Sequence, residues 1–440
     1  MKKQLVRTGL FLAMSFLALF AAGCAISPAN APTNKTPIVT PVNNPVNPIN
    51  NPVTPINQPI STGSADNAVM ANNLFALDLY KHYQPQPGNI FYSPFSISSA
   101  LTMAYEGAKG VTAEEMKKVL RLPDDQQALR NAYASLFSDL NGTNQNFKLS
   151  TANALWSEKT YPFNQDYLSL AAKYYDGQAN SLDFAGAPEK SRQTINSWVA
   201  DRTNNKILDL IPAGQISPIT RLVLTNAIYF YGDWVNQFKK ESTNPEPFFK
   251  DEQNKVDSQL MSQTAHFGYA ENDALQVLEM PYKGNRLSML ILLPKDRDIN
   301  KLENSLTLQN LNKWQKSLQN QEVDVYVPKF KLATSYFMKD DLTQMGMPTS
   351  FSDAADFSGM ISHNGEPLQI SEVIHKAYLA VDEKGTEAAA ATAVVMQLTM
   401  DNINVKQPPV FRADHPFIFL IRENNTGAIL FIGRLSDPTK

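Results

Sequence analysis

Residues 383–396 read EKGTEAAAATAVVM and follow a strand-like run at Tyr378–Val381. Four consecutive alanines favour a helix locally, but glycine and β-branched residues flank them and no helix cap is evident. Read with the two-residue period of a strand, one face is uncharged and holds Thr386, Ala388, Ala390, Thr392, Val394 and Met396. The pattern indicates a strand that buries one face. An exposed alanine-rich helix and a plain linker stay open as alternatives on these residues alone.

Around this segment, residues 66–440 have the patterns of one mixed domain without a second linker. Helical spacing and start signals predict helices over Asp66–Tyr83 and Ser96–Glu106, one after a capping box at Thr112–Glu115, and one opened by Pro188. Strand-like runs are Leu222–Tyr231, Ser288–Leu293, Val323–Val327 and a C-terminal hairpin of Phe417–Ile421 and Ala428–Ile432. Helices come mostly first and strands mostly later, which predicts an α+β fold.

The N-terminal segment precedes this domain and differs from it in composition. Lys2, Lys3 and Arg7 are followed by an uncharged apolar run that is too short to span a bilayer, as in a secretory signal. The run ends at Cys24, the only cysteine, in a sequence similar to the lipobox of bacterial lipoproteins. We therefore expect residues 1–23 to be a signal peptide and Cys24 to carry lipid. Ordinary signal cleavage with an incidental cysteine is the alternative.

Residues 24–65 form a proline- and asparagine-rich stretch. Residues 25–64 contain nine prolines and a single charge, Lys35. Because this composition has neither a helical nor a strand period, it predicts an extended spacer between the membrane and the domain at 66–440. A proline-rich ligand for a partner domain is the alternative. The expected location is outside the cytoplasm, in the cell envelope and anchored to a membrane through Cys24.

Composition excludes several classes of protein. Apolar residues make up 43% and charged residues 18%, so the chain as a whole is not disordered. The formal charge is −3, and without a basic excess a nucleic-acid role has no electrostatic support. A single cysteine excludes a disulfide framework. The negative mean hydropathy excludes a multi-span membrane protein.

Motifs for catalysis are absent from the sequence. It contains no GxSxG, HExxH or GxxxxGK[ST] motif, and its five histidines lack the spacing of metal ligands. We therefore predict no enzyme activity, no metal and no cofactor. A Ser-His-Asp site assembled from distant residues is the alternative that sequence leaves open.

Several stretches match the signature sequences of one protein family. They are Asn89–Ile97 (NIFYSPFSI), 107–114 (GAKGVTAE), 224–234 (LTNAIYFYGDW), 411–419 (FRADHPFIF) and 430–434 (LFIGR). In this order and spacing, and together with residues 383–396, they resemble the serpins. The resemblance covers residues 66–440. It implies a serpin fold with three β-sheets, about eight or nine helices and an exposed reactive-centre loop.

For function, the resemblance implies an inhibitor of serine or, as an alternative, cysteine proteases, which acts as a suicide substrate. A protease cleaves the loop, and the loop then inserts into the main sheet and distorts the protease. A monomer is expected. A non-inhibitory serpin with a binding or structural role and a hydrolase with an unrecognised site are the alternatives. The hinge favours inhibition because it lacks bulky, charged or proline residues after Gly385 at the positions that would turn inward.

The resemblance also assigns residues by position. The implied hinge comprises Glu383, Gly385, Thr386, Ala388, Ala389, Ala390 and Ala391. The implied polar cluster beneath the centre of the sheet, called the shutter, comprises Ser93, Ser96, Asn226 and His375. The implied entry point at the top of the sheet, called the breach, comprises Trp234, Lys329 and Glu383, with an ion pair between the last two.

The reactive bond follows from counting along the loop. The family's usual count places it after the fourteenth residue beyond Gly385, at Thr399–Met400. Counting back from Pro416 gives Val405–Lys406 instead, because this part of the loop is longer than usual. We favour the count from the hinge, because the inserted length determines whether the protease is distorted. The residues around this bond, Leu398-Thr399-Met400, then suit elastase-, subtilisin- or chymotrypsin-like proteases, whereas trypsin-like proteases would need Lys406.

Overall fold

A computed structural model describes residues 64–141, 147–361, 367–386 and 407–440, and every structural statement below refers to these ranges. The described residues contain nine α-helices. They are α1 (Ser64–Tyr83), α2 (Pro94–Tyr105), α3 (Gly110–Val119), α4 (Gln126–Asn141), α5 (Gln165–Tyr175), α6 (Pro188–Arg202), α7 (Ile299–Ser305), α8 (Leu308–Lys316) and α9 (Lys339–Met345). None of the helices within these ranges is long and apolar enough to cross a membrane.

Fifteen strands accompany the helices in the same part of the chain. The first eight are β1 (Ile90–Tyr92), β2 (Phe147–Glu158), β3 (Gln178–Leu182), β4 (Leu222–Asp233), β5 (Thr243–Phe249), β6 (Lys255–Glu271), β7 (Leu275–Pro281) and β8 (Leu287–Pro294). The others are β9 (Gln319–Pro328), β10 (Phe330–Phe337), β11 (Ile370–Val381), β12 (Gly385–Thr386), β13 (Val410–Arg412), β14 (Phe417–Glu423) and β15 (Ile429–Leu435).

The sheet that positions the site, called the main sheet, has the order β10-β11-β12-β4-β2-β3. Its strand β12 has only two residues and lies between β11 and β4 at one end. Below β12, β11 and β4 pair directly with each other in parallel, from Ile370 opposite Leu222 to Tyr378 opposite Tyr229. The sheet is therefore five-stranded over most of its height and holds a sixth strand only at its top.

The remaining strands are linked through β6, the longest strand. One group has the order β1-β15-β14-β8-β7-β6. In a shorter group β5 and β9 pair with the same strand β6, and β13 pairs with β9. Counted this way the fold has three sheets. With the nine helices, this confirms the α+β class and the expected three-sheet architecture.

Helix α2 lies in the core next to the main sheet. Ser93 caps its N-terminus by accepting a hydrogen bond from the Ser96 amide, and Pro94 occupies the first turn, where no backbone donor is needed. Eleven of its twelve residues are buried, among them Phe95 and Leu101. Because the helix is buried on nearly all sides, it is stable only when other elements surround it and bond to its buried hydroxyl groups.

Most of the elements predicted from sequence are present, including the helices near Asp66–Tyr83 and Ser96–Glu106 and the C-terminal hairpin. The capping box at Thr112–Glu115 is wrong, because α3 already begins at Gly110. The Thr112 hydroxyl instead accepts from the Asp356 amide, and the Glu115 carboxylate accepts from Thr349. Residues that resemble a cap therefore form tertiary contacts here.

Candidate functional site

The hinge segment, defined as residues 382–386, enters the main sheet between β11 and β4. Thr386 pairs with Gly232 on β4 and Val381 on β11, and it is fully buried. A Cβ atom added to Gly385 would lie 2.0 Å from the carbonyl oxygen of Gly232. Since that neighbour is backbone, only glycine fits at position 385. The first residues of the hinge thus already lie inside the sheet.

Trp234 holds the hinge segment from the side of β4. Its backbone amide donates to the Lys384 carbonyl at 2.8 Å, and its indole Nε1 donates to the Asp382 carbonyl at 3.0 Å. The Phe238 amide donates to the Glu383 carbonyl at 2.8 Å. Three consecutive carbonyls of the hinge segment therefore have fixed donors, which fixes the direction in which the chain enters the sheet.

The expected ion pair between Lys329 and Glu383 is present. The Lys329 Nζ lies 2.8 Å from Oε2 and 3.0 Å from Oε1 of Glu383, and the Thr243 hydroxyl donates to Oε1 at 2.9 Å. Burial alone raises the pKa of the Glu383 carboxyl, but the hydrogen bonds from Lys329 and Thr243 outweigh it and lower that pKa below its ordinary value. The carboxylate stays charged at neutral pH and ties the hinge segment to the residue that joins β9 to β10.

Tyr282 lies beneath Thr386. Its phenol oxygen is 2.9 Å from the Thr386 hydroxyl, and its ring stacks on Trp234 with centroids 4.4 Å apart. Burial raises the pKa of the Tyr282 phenol and its hydrogen bond with Thr386 offsets part of that rise, so the phenol stays protonated. Sequence analysis missed Tyr282. Its isolated position after β7 carries no motif, and its partner is 104 residues away.

A second set of residues meets lower in the sheet and forms a central polar cluster, which holds the predicted Ser93, Ser96, Asn226 and His375 together with Asn153. Asn153, Asn226 and His375 lie side by side on β2, β4 and β11. The Asn226 amide donates to Ser96 Oγ and to Asn153 Oδ1, both at 2.5 Å. All five residues are buried. Asn153 was missed from sequence because nothing local distinguishes it from other asparagines in a strand.

His375 is neutral, and its hydrogen bonds assign its tautomer. Its Nε2 accepts from the Ser93 amide at 3.2 Å, so Nδ1 carries the proton and donates to the side-chain oxygen of Asn226. Complete burial lowers the pKa of His375 from 6.5 to about 3. The bond from His375 to Asn226 joins β11 to β4 where no strand separates them. A strand inserted there would have to break it.

The chain re-enters the fold at β13, on the far side of the loop. The Asp324 amide donates to the Pro409 carbonyl at 3.0 Å, and β13 pairs in parallel with β9. Arg412 lies over the Tyr326 ring, 4.8 Å from its centroid, and forms ion pairs with Glu246 and Asp414. Pro409 is therefore an anchored end of the loop, as Thr386 is at the other end.

Several predicted positions lie outside the described residues. They are the hinge alanines Ala388, Ala389, Ala390 and Ala391, both possible reactive bonds (Thr399–Met400 and Val405–Lys406), and Cys24. Within the described ranges, no group of three or more His, Cys, Asp or Glu side chains is placed to hold a metal ion.

Comparison with known families and structures agrees with this geometry. Residues 70–438 match the family described as serpin (serine protease inhibitor). The chain belongs to the serpin family. This serpin is 41% identical over 429 residues to an uncharacterized serpin-like protein of Thermococcus kodakarensis, covering 97% of this chain and 98% of the relative.

Two human relatives represent different kinds of serpin. This serpin is 41% identical over 380 residues to the human leukocyte elastase inhibitor, covering 84% of this chain and 98% of the relative. Its fold is similar to the crystal structure of human thyroxine-binding globulin, with a TM-score of 0.78, 31% identity, and coverage of 86% of this chain and 100% of the other. Serpins are generally protease inhibitors, but the family also contains non-inhibitory members.

Proposed function

We propose that this serpin is a suicide-substrate inhibitor of a serine protease and has no catalytic activity of its own. One observation carries the proposal. Thr386 is uncharged and buried between β11 and β4, and directly below it these two strands pair with each other without an intervening strand. The cleaved loop would therefore continue as a new strand along a path that its first residues already occupy.

The energy of insertion supports this proposal. At present β11 and β4 share eight registered residue pairs. An inserted strand would replace this one ladder with two, for a net gain of about a dozen hydrogen bonds worth roughly 0.5–1.5 kcal/mol each, or about 6–18 kcal/mol before entropy. That range matches the stability of a whole domain, about 5–15 kcal/mol. Insertion therefore has enough driving force to distort a protease that is covalently attached to the loop.

We propose Thr399–Met400 as the reactive bond. A protease cleft binds residues on both sides of the bond it cleaves. Met400 is nine residues before Pro409, whereas Lys406 is only three residues before this anchored end of the loop. Binding of a protease across Val405–Lys406 would require Pro409 to give up its hydrogen bond with Asp324 on β9. The sequence Leu398-Thr399-Met400 favours elastase-, subtilisin- or chymotrypsin-like proteases as targets.

The proposed location is the cell envelope. The lipobox-like sequence at Cys24 and the proline-rich residues 24–65 support an inhibitor held on a membrane by lipid and displayed outside the cytoplasm. We propose that it is a monomer, as the resemblance implies. The 41% identity to the leukocyte elastase inhibitor supports inhibition itself.

The deciding experiment is incubation with a panel of serine proteases, followed by a denaturing gel. A covalent 1:1 band is the expected result. Cleavage of the loop without such a band would indicate a non-inhibitory serpin. Turnover of ester or peptide substrates by the serpin alone would indicate a hydrolase. Either of the last two results would overturn the proposed function.

A further inference from the structure

The hydrogen bond between Tyr282 and Thr386 joins two fully buried hydroxyl groups. Tyr282 is 0% and Thr386 0% exposed, and their oxygens are 2.9 Å apart. No other hydrogen bond is described for either hydroxyl within the ranges that the structure covers. Buried hydroxyl groups depend on such partners because water does not reach them.

Tyr282 is a rigid partner for this hydroxyl. Its ring stacks on Trp234 and meets Phe230 edge-on, with centroids 4.9 Å apart and an interplanar angle of 79°. Its backbone amide donates to the Leu287 carbonyl at 2.9 Å, which fixes it at the turn between β7 and β8. A Cβ atom on Gly232 would lie 2.9 Å from the Tyr282 ring, so packing leaves no room for the ring to shift toward β4.

We propose that Tyr282 is a positioning residue, which holds Thr386 inside the main sheet before any protease arrives and so makes the first step of loop insertion part of the resting structure. Its importance for inhibition rests on the proposed function, but its effect on the hinge segment does not. The backbone amides of Trp234 and Phe238 bond to residues 384 and 383 and the Trp234 indole bonds to residue 382, whereas Tyr282 is the side chain that bonds to residue 386.

Two single variants and their combination test this role. Tyr282→Phe and Thr386→Val each remove one hydroxyl with little change of shape and leave the other one buried without a partner. That unpaired group favours release of the hinge segment, so each single variant should raise amide hydrogen exchange in residues 382–386 about tenfold. The double variant leaves no unpaired hydroxyl, and its exchange should return toward that of the wild type.

Tyr167→Phe is the matched control. Tyr167 is also buried, and its hydroxyl donates to the Met103 carbonyl at 2.7 Å, away from the hinge segment. This variant loses a buried hydroxyl bond but should leave exchange in residues 382–386 at the wild-type rate. Thr386→Ser keeps the hydroxyl and should also keep the wild-type rate.

The measurements use the full, uncleaved chain and need no protease. Unchanged exchange in Tyr282→Phe would overturn the proposal, as would an equal rise in Tyr167→Phe or a double variant that exchanges faster than both single variants. With a trapped protease, Tyr282→Phe should also consume more inhibitor per protease molecule while the loop is cleaved at the same bond. If the wild type traps no protease, the proposed function fails, and the exchange data still decide the role of Tyr282.

Discussion

The substitution Thr386→Arg tests loop insertion at its first step. In the structure residue 386 is already inside the sheet, fully buried against Tyr282. An arginine there would meet described carboxylates that are already engaged, because Glu383 is paired with Lys329, Asp233 with Lys283, and Asp382 accepts from the amides of Lys384 and Gly385. We therefore expect the side chain to keep the hinge segment out of the sheet.

The magnitude of the effect follows from the cost of an unpaired buried charge. That cost is about 3–5 kcal/mol, against a total insertion gain of about 6–18 kcal/mol. Full insertion thus stays favourable in principle, but the cost falls on its first step. A barrier raised by 3–5 kcal/mol slows that step by about two to four orders of magnitude. Hydrolysis of the acyl-enzyme then precedes distortion of the protease, and the inhibitor becomes a substrate.

The assay compares the molar ratio of inhibitor consumed to protease inactivated, with a denaturing gel to display the covalent complex. Thr386→Arg should be cleaved at the wild-type bond without a stable complex, and cleavage should raise its melting temperature less than it raises that of the wild type. Gln407→Arg places the same charge at the exposed, anchored end of the loop and serves as the control. Trapping by Thr386→Arg at the wild-type ratio would refute insertion through this hinge.

Three further predictions concern pH, the bond and the membrane. His375 accepts a proton in the unfolded chain below pH 6.5 but in the folded chain only near pH 3. The free energy of unfolding should therefore decrease as the pH is lowered from 6.5 to 3, by up to about 1.4 kcal/mol per pH unit from this group. The stability difference between wild type and His375→Gln, measured by urea unfolding, should accordingly shrink between pH 7 and pH 4; a constant difference would show that His375 is not neutral in the fold. Peptide mapping after protease attack should find a new N-terminus at Met400 or within one or two residues of it. A new N-terminus at Lys406 would instead support Val405–Lys406, the bond obtained by counting back from Pro416. Cys24→Ala should move the protein from the membrane to the soluble fraction, and equal membrane association of both forms would contradict lipidation.

Sequence predicted the parts of the fold whose signals are local. The hairpin at β14 and β15 combines two apolar runs with a turn, and α2 combines a capping serine with an apolar helix. Strand β6 was missed because burial along its 17 residues does not alternate regularly, as expected for a strand shared by two sheets. Local pattern rules fail where two sets of neighbours determine which side chains are buried.

The site residues also divide into those that a local sequence signal reveals and those that it does not. Gly385 and Thr386 were assigned to the hinge through the resemblance to the serpins, to which the unusual run of small residues after them contributes. Tyr282 and Asn153 were not, because each acts through a partner on another strand, 104 residues away for Tyr282 and 73 for Asn153 with Asn226. Such partners are determined by strand register, which the sequence of either strand alone does not specify.

Two hydrogen bonds lie at different heights along the facing edges of β11 and β4, one at β12 and one below it. At the top, Tyr282 bonds to Thr386, a residue that would keep its place when the loop inserts, so this bond stabilises the start of insertion. Lower down, the bond from His375 to Asn226 joins the two strands directly, and insertion has to break it. Weakening the upper bond should therefore hinder trapping, whereas weakening the lower bond should lower the barrier to strand separation. An inhibitor of the proposed kind, which has to stay unreacted until it is cleaved, requires both, because the upper contact alone would not prevent insertion before cleavage and the lower contact alone would not give the loop a starting position.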